Sequence, residues 1–505
     1  MMNKLMQAIK TLPFMGGKGK KKSSGKNRMS FDLFYQLSYM STIAAAGVPR
    51  EQIFSRSATL ECASAEYFNR VELARTRLKY DYARACRAVG ESAKDEEIKG
   101  LLLRLSSSLI SGEPEVDFLI REAKARAEDY ENEYNRNIEA MKLWTDAYVS
   151  LILSAVLVVV IGIVSTMIWR IETIFIIAMA FVCVMTTALG VWLIWLVSPK
   201  EMSILRTPGS KEQKLITRIA KPAVPIGIIL GAGMLIAGQN IGIALMVIAA
   251  ILLPIGFIVN RDDTKVTKRD SEIGTFLRSL GGVCLALGTT INAALSRIDL
   301  DSINVLRSSV KNLHTRLSAG IRTKLSWGRF VEETGSELTR RSVGMFYDAI
   351  AVGGSAGQAG QQAASFANRI ALLRAKRKTV SNPFRWLVMT MHAAVVVILV
   401  FITEVIVAFG GMVGSAQASM PTVSGAPSVS AFSTFNLSGL DFMHTMVVPL
   451  VLVFTVANAI VPFMAEGGSK FKVLGYFAMT SAISGICLLA LPFLADSLFT
   501  SVAQI

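Results

Sequence analysis

Seven stretches of this sequence are too long and too apolar to be ordinary elements of a water-soluble core. A helix that crosses a bilayer needs about 20 mostly apolar residues, because each adds about 1.5 Å of rise through a hydrocarbon layer about 30 Å thick. Residues 144–168, 173–197, 386–408, 443–463 and 473–494 meet that requirement. Residues 223–238 and 241–259 form a further pair joined at Gln239-Asn240. The first member is short, so the pair reads as a full hairpin or as a re-entrant dip, and either returns the chain to the same side. Charged residues make up only 18% of the 505, against about 25% in soluble proteins. With 52% hydrophobic residues, 38 Gly and 14 Pro, intrinsic disorder and collagen-like repeats are excluded. The fold class expected is all-α: a polytopic membrane protein with about seven transmembrane helices and two duplicated helical-bundle domains.

The positive-inside rule orients these spans. With 1–143 in the cytoplasm, 198–222, 260–385 and 464–472 lie there too, and 52 of the 53 Lys+Arg fall inside. Arg170 alone is left outside. The expected order is a basic flexible tail (1–30), a first cytoplasmic domain (31–143), spans 1–2 (144–197), a basic loop (198–222), a membrane hairpin (223–259), a second cytoplasmic domain (260–385), span 5 (386–408), an outer Ser/Gly-rich loop (409–442), spans 6–7 (443–494) and an outer tail (495–505). The outer loop is uncharged and reads as a solvated connector, with a glycosylation sequon at Asn436. The N-terminus lacks the apolar core of a signal peptide. The five cysteines stand apart without a CxxC pair, which fits neither a zinc site nor a disulfide framework.

The two large polar segments read as repeats. Gly47 to Arg56 aligns with Gly288 to Arg297 at a shift of 241, Tyr82 to Gly90 with Trp327 to Gly335 at 245, and Trp144 with Trp386 at 242. Within them, apolar residues recur three and four apart with charges between, the period of amphipathic helices. Gly47 and Pro49 separate the first two helices, and Pro114 opens another after Gly112-Glu113.

The series of an apolar helix, an Ala-Gly-Val-Pro turn holding Gly47 and Pro49, Ser111-Gly112-Glu113 and a Trp-led span resembles the F-type domain of type II secretion and type IV pilus platform proteins. Two copies, over roughly 31–168 and 271–408, followed by extra spans, resemble in layout the archaeal platforms of the archaellum and related pili. The second copy departs from the pattern: its first turn has Gly288 without the Pro, and 353–360 is Gly-rich without the Glu. The resemblance implies a non-enzymatic platform at the cell membrane without cofactors. It would bind a hexameric secretion ATPase and pass its strokes to prepilin- or archaellin-like subunits. A type II secretion pseudopilus platform is the nearest variant, and a homodimer and a single pseudo-twofold chain are both compatible with it. A secondary transporter is the rival from another class, since it also uses repeats, but its repeats are membrane units with polar groups near the midplane.

Motor-contact candidates are the basic residues Arg340 and Arg341, the run Arg374, Lys376, Arg377 and Lys378, and the repeated pairs Arg56/Arg297 and Arg84/Arg329. Each has a plainer alternative: the run lies before a span and fixes orientation, and the repeated arginines close salt bridges inside each bundle. The tail at 16–28 has six basic residues without interleaved aromatics, which favours anionic lipid over nucleic acid. Glu404 is the acid well inside a span, four residues from the expected outer end, where it either meets a protein partner or snorkels. His314, His392 and His444 are too scattered for a metal site or catalytic base. The Gly-rich 353–360 stretch lacks the Lys-Ser/Thr of a P-loop and reads as a place of close helix approach. So does the stripe of Gly227, Gly231, Ala232 and Gly233.

Overall fold

The computed structural model describes residues 25–168, 173–205, 207–419 and 440–502. Sixteen α-helices account for almost all of them, and no named strand occurs among the described residues beyond an isolated bridge between Ile204 and Ser336. The first six are α1 (Gly25–Ala45), α2 (Arg50–Ala58), α3 (Ala65–Leu78), α4 (Tyr82–Ser92), α5 (Glu96–Ser111) and α6 (Glu115–Ile168). There follow α7 (Thr173–Val197) and α8 (Lys211–Ile236). A second six are α9 (Ile241–Leu287), α10 (Ile291–Leu295), α11 (Arg307–Ser318), α12 (Thr323–Thr334), α13 (Glu337–Ala351) and α14 (Ala356–Ser419), followed by α15 (Leu440–Glu466) and α16 (Lys472–Val502).

The second six repeat the first. The end of the first helix and the starts of the next five recur at offsets of 241 or 242 residues. Left-handed backbone recurs too: Gly47 and Gly288 end the first helices, Lys79 and Gly320 the third, and Gly112 and Gly353 the fifth, each pair 241 apart. A positive φ suits glycine, which has no Cβ to clash with the backbone. Lys79, at φ 54°, is the one described non-glycine residue in that region. The backbone therefore corrects two of the alignments. Helices α6 and α14 start 241 residues apart and run without a break, so Trp144 corresponds to Arg385 rather than to Trp386. Helix α4 matches α12 at 241, not 245, so Arg84 corresponds to Leu325 and Arg329 to Ala88, whereas Arg56 and Arg297 do correspond. A slip of four residues is about one helical turn, so it keeps the amphipathic face and leaves the apolar pattern intact.

The chain divides into two compact units. Of the described residues, the bundle unit holds 25–135, 200–205 and 266–373, and thus the polar parts of both copies. At its centre is α1, buried on every side. Phe34 stacks 5.5 Å from Tyr130 of α6 and lies 5.1 Å from Phe366 of α14. Residues 31–46 carry a single charge, Asp32, so this helix loses little by leaving water. Helix α9 packs on α14 through glycine: a Cβ on Gly360 would come within 2.6 Å of the Leu277 carbonyl oxygen.

Of the described residues, the second unit holds 136–168, 173–199, 207–265, 374–419 and 440–502 and is apolar. Among the described residues seven helices are long and apolar enough to cross a membrane, and they hold the seven stretches read from the sequence, except that the third ends at Ile236 rather than 238. The chain is a multi-pass membrane protein by that measure. Helix α8 begins at Lys211, capped by Ser210 accepting from the Gln213 amide, so its 26 residues give about 39 Å of rise, enough for a crossing. Helix α14 continues to Ser419, eleven residues past the expected end, and Glu404 is therefore half-buried in mid-helix rather than at a terminus. The tail before residue 25, Arg170 and Asn436 lie outside the described residues.

Close approach in this unit occurs at glycines other than those expected. A Cβ on Gly256 of α9 would sit 2.4 Å from the Gly475 Cα of α16, and one on Gly485 would sit 2.9 Å from the Gly242 carbonyl oxygen. Gly227 and Gly233 face open space, and only Gly231 meets a neighbour, Ile248. The correction is physical: small residues matter where another helix crosses, and a stripe of them does not say whether one does.

Candidate functional site

The groups able to do work lie in two places, a charged seam between the copies in the bundle unit and polar clusters within the apolar unit. In the seam, α13 of copy 2 turns Arg341 onto α1 of copy 1. The guanidinium lies 4.7 Å from the Phe31 ring centroid and 4.5 Å from that of Tyr35. It pairs with Glu337 at 3.0 Å and Asp32 at 3.7 Å, all three side chains being buried. Burial pushes the Glu337 carboxyl upward, but the hydrogen bonds and charges of Arg340 and Arg341 outweigh it and hold the group below its ordinary value. The Tyr39 hydroxyl donates to Asp348 at 2.8 Å, and the Ser355 amide donates to the Ala46 carbonyl at 2.9 Å. Gly354 lies in that contact, where a Cβ would come within 2.7 Å of the Ala46 side chain. The missing Glu of the second copy thus has a steric reason.

Among the motor-contact candidates, Arg341 is therefore committed inside the seam. Arg340 is half-buried and pairs with Glu337 at 2.5 Å and with Glu61 at 3.9 Å. Arg56 is exposed and reaches Asp348 at 3.9 Å. Arg84 is exposed and stacks 4.3 Å from the Tyr80 centroid, Arg297 is exposed, and Arg329 pairs with Glu332 at 3.0 Å on the surface. Glu113 holds Arg121 at 2.7 Å and accepts from Ser108 at 2.8 Å; these hydrogen bonds hold its carboxyl below the usual range. Gly112 and Pro114 beside it are exposed, as are Gly47, Pro49 and Gly288 in the two equivalent turns.

The basic run before the fifth span is mostly an internal device. Arg377 is 7% exposed and donates to the carbonyls of Ala465, Met464 and Pro199 at 2.8–2.9 Å. Two of these end α15, where a cation offsets the negative end of the helix dipole. Lys378 pairs with Asp263 of α9 at 3.3 Å. Asp263 also holds Lys472 of α16 at 2.6 Å, and Lys472 holds Glu466 of α15 at 2.8 Å. Glu466 further accepts from the Tyr476 hydroxyl and faces Arg385 at 3.9 Å. Between these groups run Gly467 and Gly468, both at positive φ, where any Cβ would strike Arg377 or Asp263. Arg374 and Lys376 are half-buried.

A second polar cluster sits among the apolar helices. The Tyr148 hydroxyl of α6 donates to Asn458 Oδ1 of α15 at 2.7 Å, and Asn458 Nδ2 faces His392 Nδ1 of α14 at 3.1 Å. If Asn458 donates there, His392 carries its proton on Nε2, which faces the Thr480 carbonyl at 3.2 Å and Ser484 Oγ at 3.0 Å on α16. Ser484 and Thr455 close the ring at 2.7 Å. Four helices meet on this chain of bonds, and its hydroxyl, amide and imidazole groups are matched with one another. The cluster is built to fix helix register. Sequence reasoning passed over Asn458 and Tyr148 because one polar residue in an apolar run carries no sign of its partners.

No family model matches the sequence, and no solved structure matches it. Similarity is found to two curated proteins named flagella accessory protein J. The one from Methanocaldococcus jannaschii is 23% identical over 420 residues, covering 80% of this chain and 73% of that protein. The one from Methanococcus voltae is 24% identical over 322 residues, covering 60% of this chain and 56% of that protein. Both names refer to flagella.

Proposed function

We propose that this chain is the membrane platform of a type IV pilus-like filament, an archaellum or a related pilus. It couples a cytoplasmic hexameric secretion ATPase to the release of filament subunits from the membrane. The observation that carries the reading is the duplicated bundle whose last helix, in each copy, continues without a break into an apolar stretch: α6 over 54 residues and α14 over 64. A continuous helix is stiff enough to carry displacement along its axis, at about 1.5 Å per residue. Similarity to the two flagella accessory proteins supplies the filament. The ATPase is bound on the bundle unit, on the side where the Lys+Arg excess places it. Arg56, Arg84, Arg297 and Arg329 are the basic candidates that stay at its surface. The movement passes to α15 and α16 through the ion cluster of Asp263, Lys378, Glu466 and Lys472, which ties both helices to α9 and α14.

Deleting the gene and imaging cells for surface filaments tests this reading. Loss of filaments, restored by the gene in trans, is expected; normal filaments would end it. Saturable solute uptake by the purified chain in liposomes would instead establish a transporter.

A further inference from the structure

The repeat provides an internal control for the surface of the bundle unit, because each place in one copy has a counterpart 241 residues away in the other. At the end of α1, Ala44 and Ala46 are buried, and the α13–α14 turn of copy 2 sits there through Gly354 and Ser355. At the counterpart, the end of α9, Leu285 and Leu287 are 67% and 47% exposed. The neighbouring α11–α12 turn adds Ile321 at 41% and Leu325 at 55%, where copy 1 has Tyr80 and Arg84. A hydrogen bond of 3.1 Å from Ser318 to Asn292 ties this turn to the start of α10, so the four side chains belong to neighbouring turns. Arg322 and Lys324 stand exposed beside them.

The counterpart of the covering turn is also open. The α5–α6 turn of copy 1 presents Ile110 at 69% exposure and Val116 at 37%, where copy 2 has Ala351 and Gly357. Beside them are Glu113, Glu115 and the exposed Asp117. The charges of the copies are opposite: residues 31–135 hold 14 Lys+Arg against 18 Asp+Glu, and residues 266–373 hold 13 against 8. Exposed apolar groups with a charged rim mark interaction surfaces, and opposite charge selects the partner.

We infer that the α5–α6 turn of one chain docks on the apolar, basic end of α9 and the α11–α12 turn of a second copy of the same chain. Ile110 and Val116 cover Leu285, Leu287, Ile321 and Leu325, with Asp117 near Arg322 and Lys324. The contact repeats between chains the turn-on-helix-end contact already made within one. It is confined to the ends, because Ser271, Thr275, Arg278 and Gly282 keep the rest of that α9 face polar. Used twice, the same pair of surfaces closes a twofold dimer. The inference stands on the repeat alone and does not depend on the proposed filament role.

Two differently tagged full-length chains, both with the five native cysteines replaced, test it when co-expressed, one carrying Ile110→Cys and the other Leu285→Cys. Oxidation of native membranes is expected to give a mixed-tag species of twice 54.7 kDa. Chains that carry Ile110→Cys alone should not form it. In the otherwise native sequence, Leu285→Glu, and separately Arg322→Glu with Lys324→Glu, are expected to raise the dimer dissociation constant in detergent about tenfold or more. A monomeric native chain, or a dimer that neither cross-links nor responds to these substitutions, would overturn the inference. The charge variants keep it testable if the cysteine-free chain does not fold.

Discussion

Copy 1 buries its first helix on every side, whereas copy 2 leaves one face of the equivalent helix open. The positions Ser30, Phe34, Leu37, Ser41 and Ala44 of α1 are all buried, and their counterparts Ser271, Thr275, Arg278, Gly282 and Leu285 of α9 are all exposed. The same six-helix frame thus serves two purposes. In copy 1 the first helix is the core around which the unit packs; in copy 2 it is a glycine-bearing arm laid on α14. Duplication preserved the backbone turns and released the surfaces to diverge.

Several substitutions would break or sharpen that contrast, and the largest effect belongs to the seam. Arg341→Ala leaves Asp32 buried without its cation and Glu337 with Arg340 alone, and should cost about 3–5 kcal/mol of bundle stability. The counterpart in copy 1 is Gly100, so no similar pair is lost there, and Gly100→Ala should shift the melting curve little. Next comes Gly354→Ala, where the Cβ would strike Ala46; a loss of about 1–3 kcal/mol is expected. Glu113→Ala, at the open counterpart, should shift the melt less than Gly354→Ala does, because its ion pair with Arg121 is exposed to water. Denaturant melts of the purified chain compare each pair.

Acid should act on the seam as well. The Glu337 carboxyl is held below its ordinary value of 4.5 in the folded state. Its stabilisation is present above that value and is lost as the pH falls through the lowered folded value. Melts between pH 6 and about pH 3 should show this loss in the native chain and a weaker dependence in Glu337→Gln. The smallest effect is at the third helix ends. Lys79→Gly should stabilise by about 0.5–1 kcal/mol and Gly320→Lys destabilise by a similar amount, because both positions need left-handed backbone.

Much of this architecture was legible in the sequence, because bilayer thickness and helical period leave long-range marks. Seven long helices hold the seven apolar stretches but for 237–238, and the repeat was visible at Gly47/Gly288. The register of α4 on α12 was not, since amphipathic helices tolerate a one-turn slip without losing their pattern. The roles of Arg341 and Arg377 were also hidden. A basic residue on a predicted helix reads as solvated, and nothing near Arg341 announces a partner at Asp32 in the other copy. The end of the fifth long helix was not legible either: the apolar stretch closes at 408, whereas the helix runs on to Ser419.

The central claim is that both copies of the bundle face the interior of the cell, where an ATP-driven motor can push on them. Cysteines placed at the equivalent turns Lys79 and Gly320, in an otherwise cysteine-free chain, test it with a membrane-impermeant maleimide. The account predicts that neither is labelled in intact cells and that both are labelled in inside-out vesicles. Labelling of either one in intact cells would contradict it.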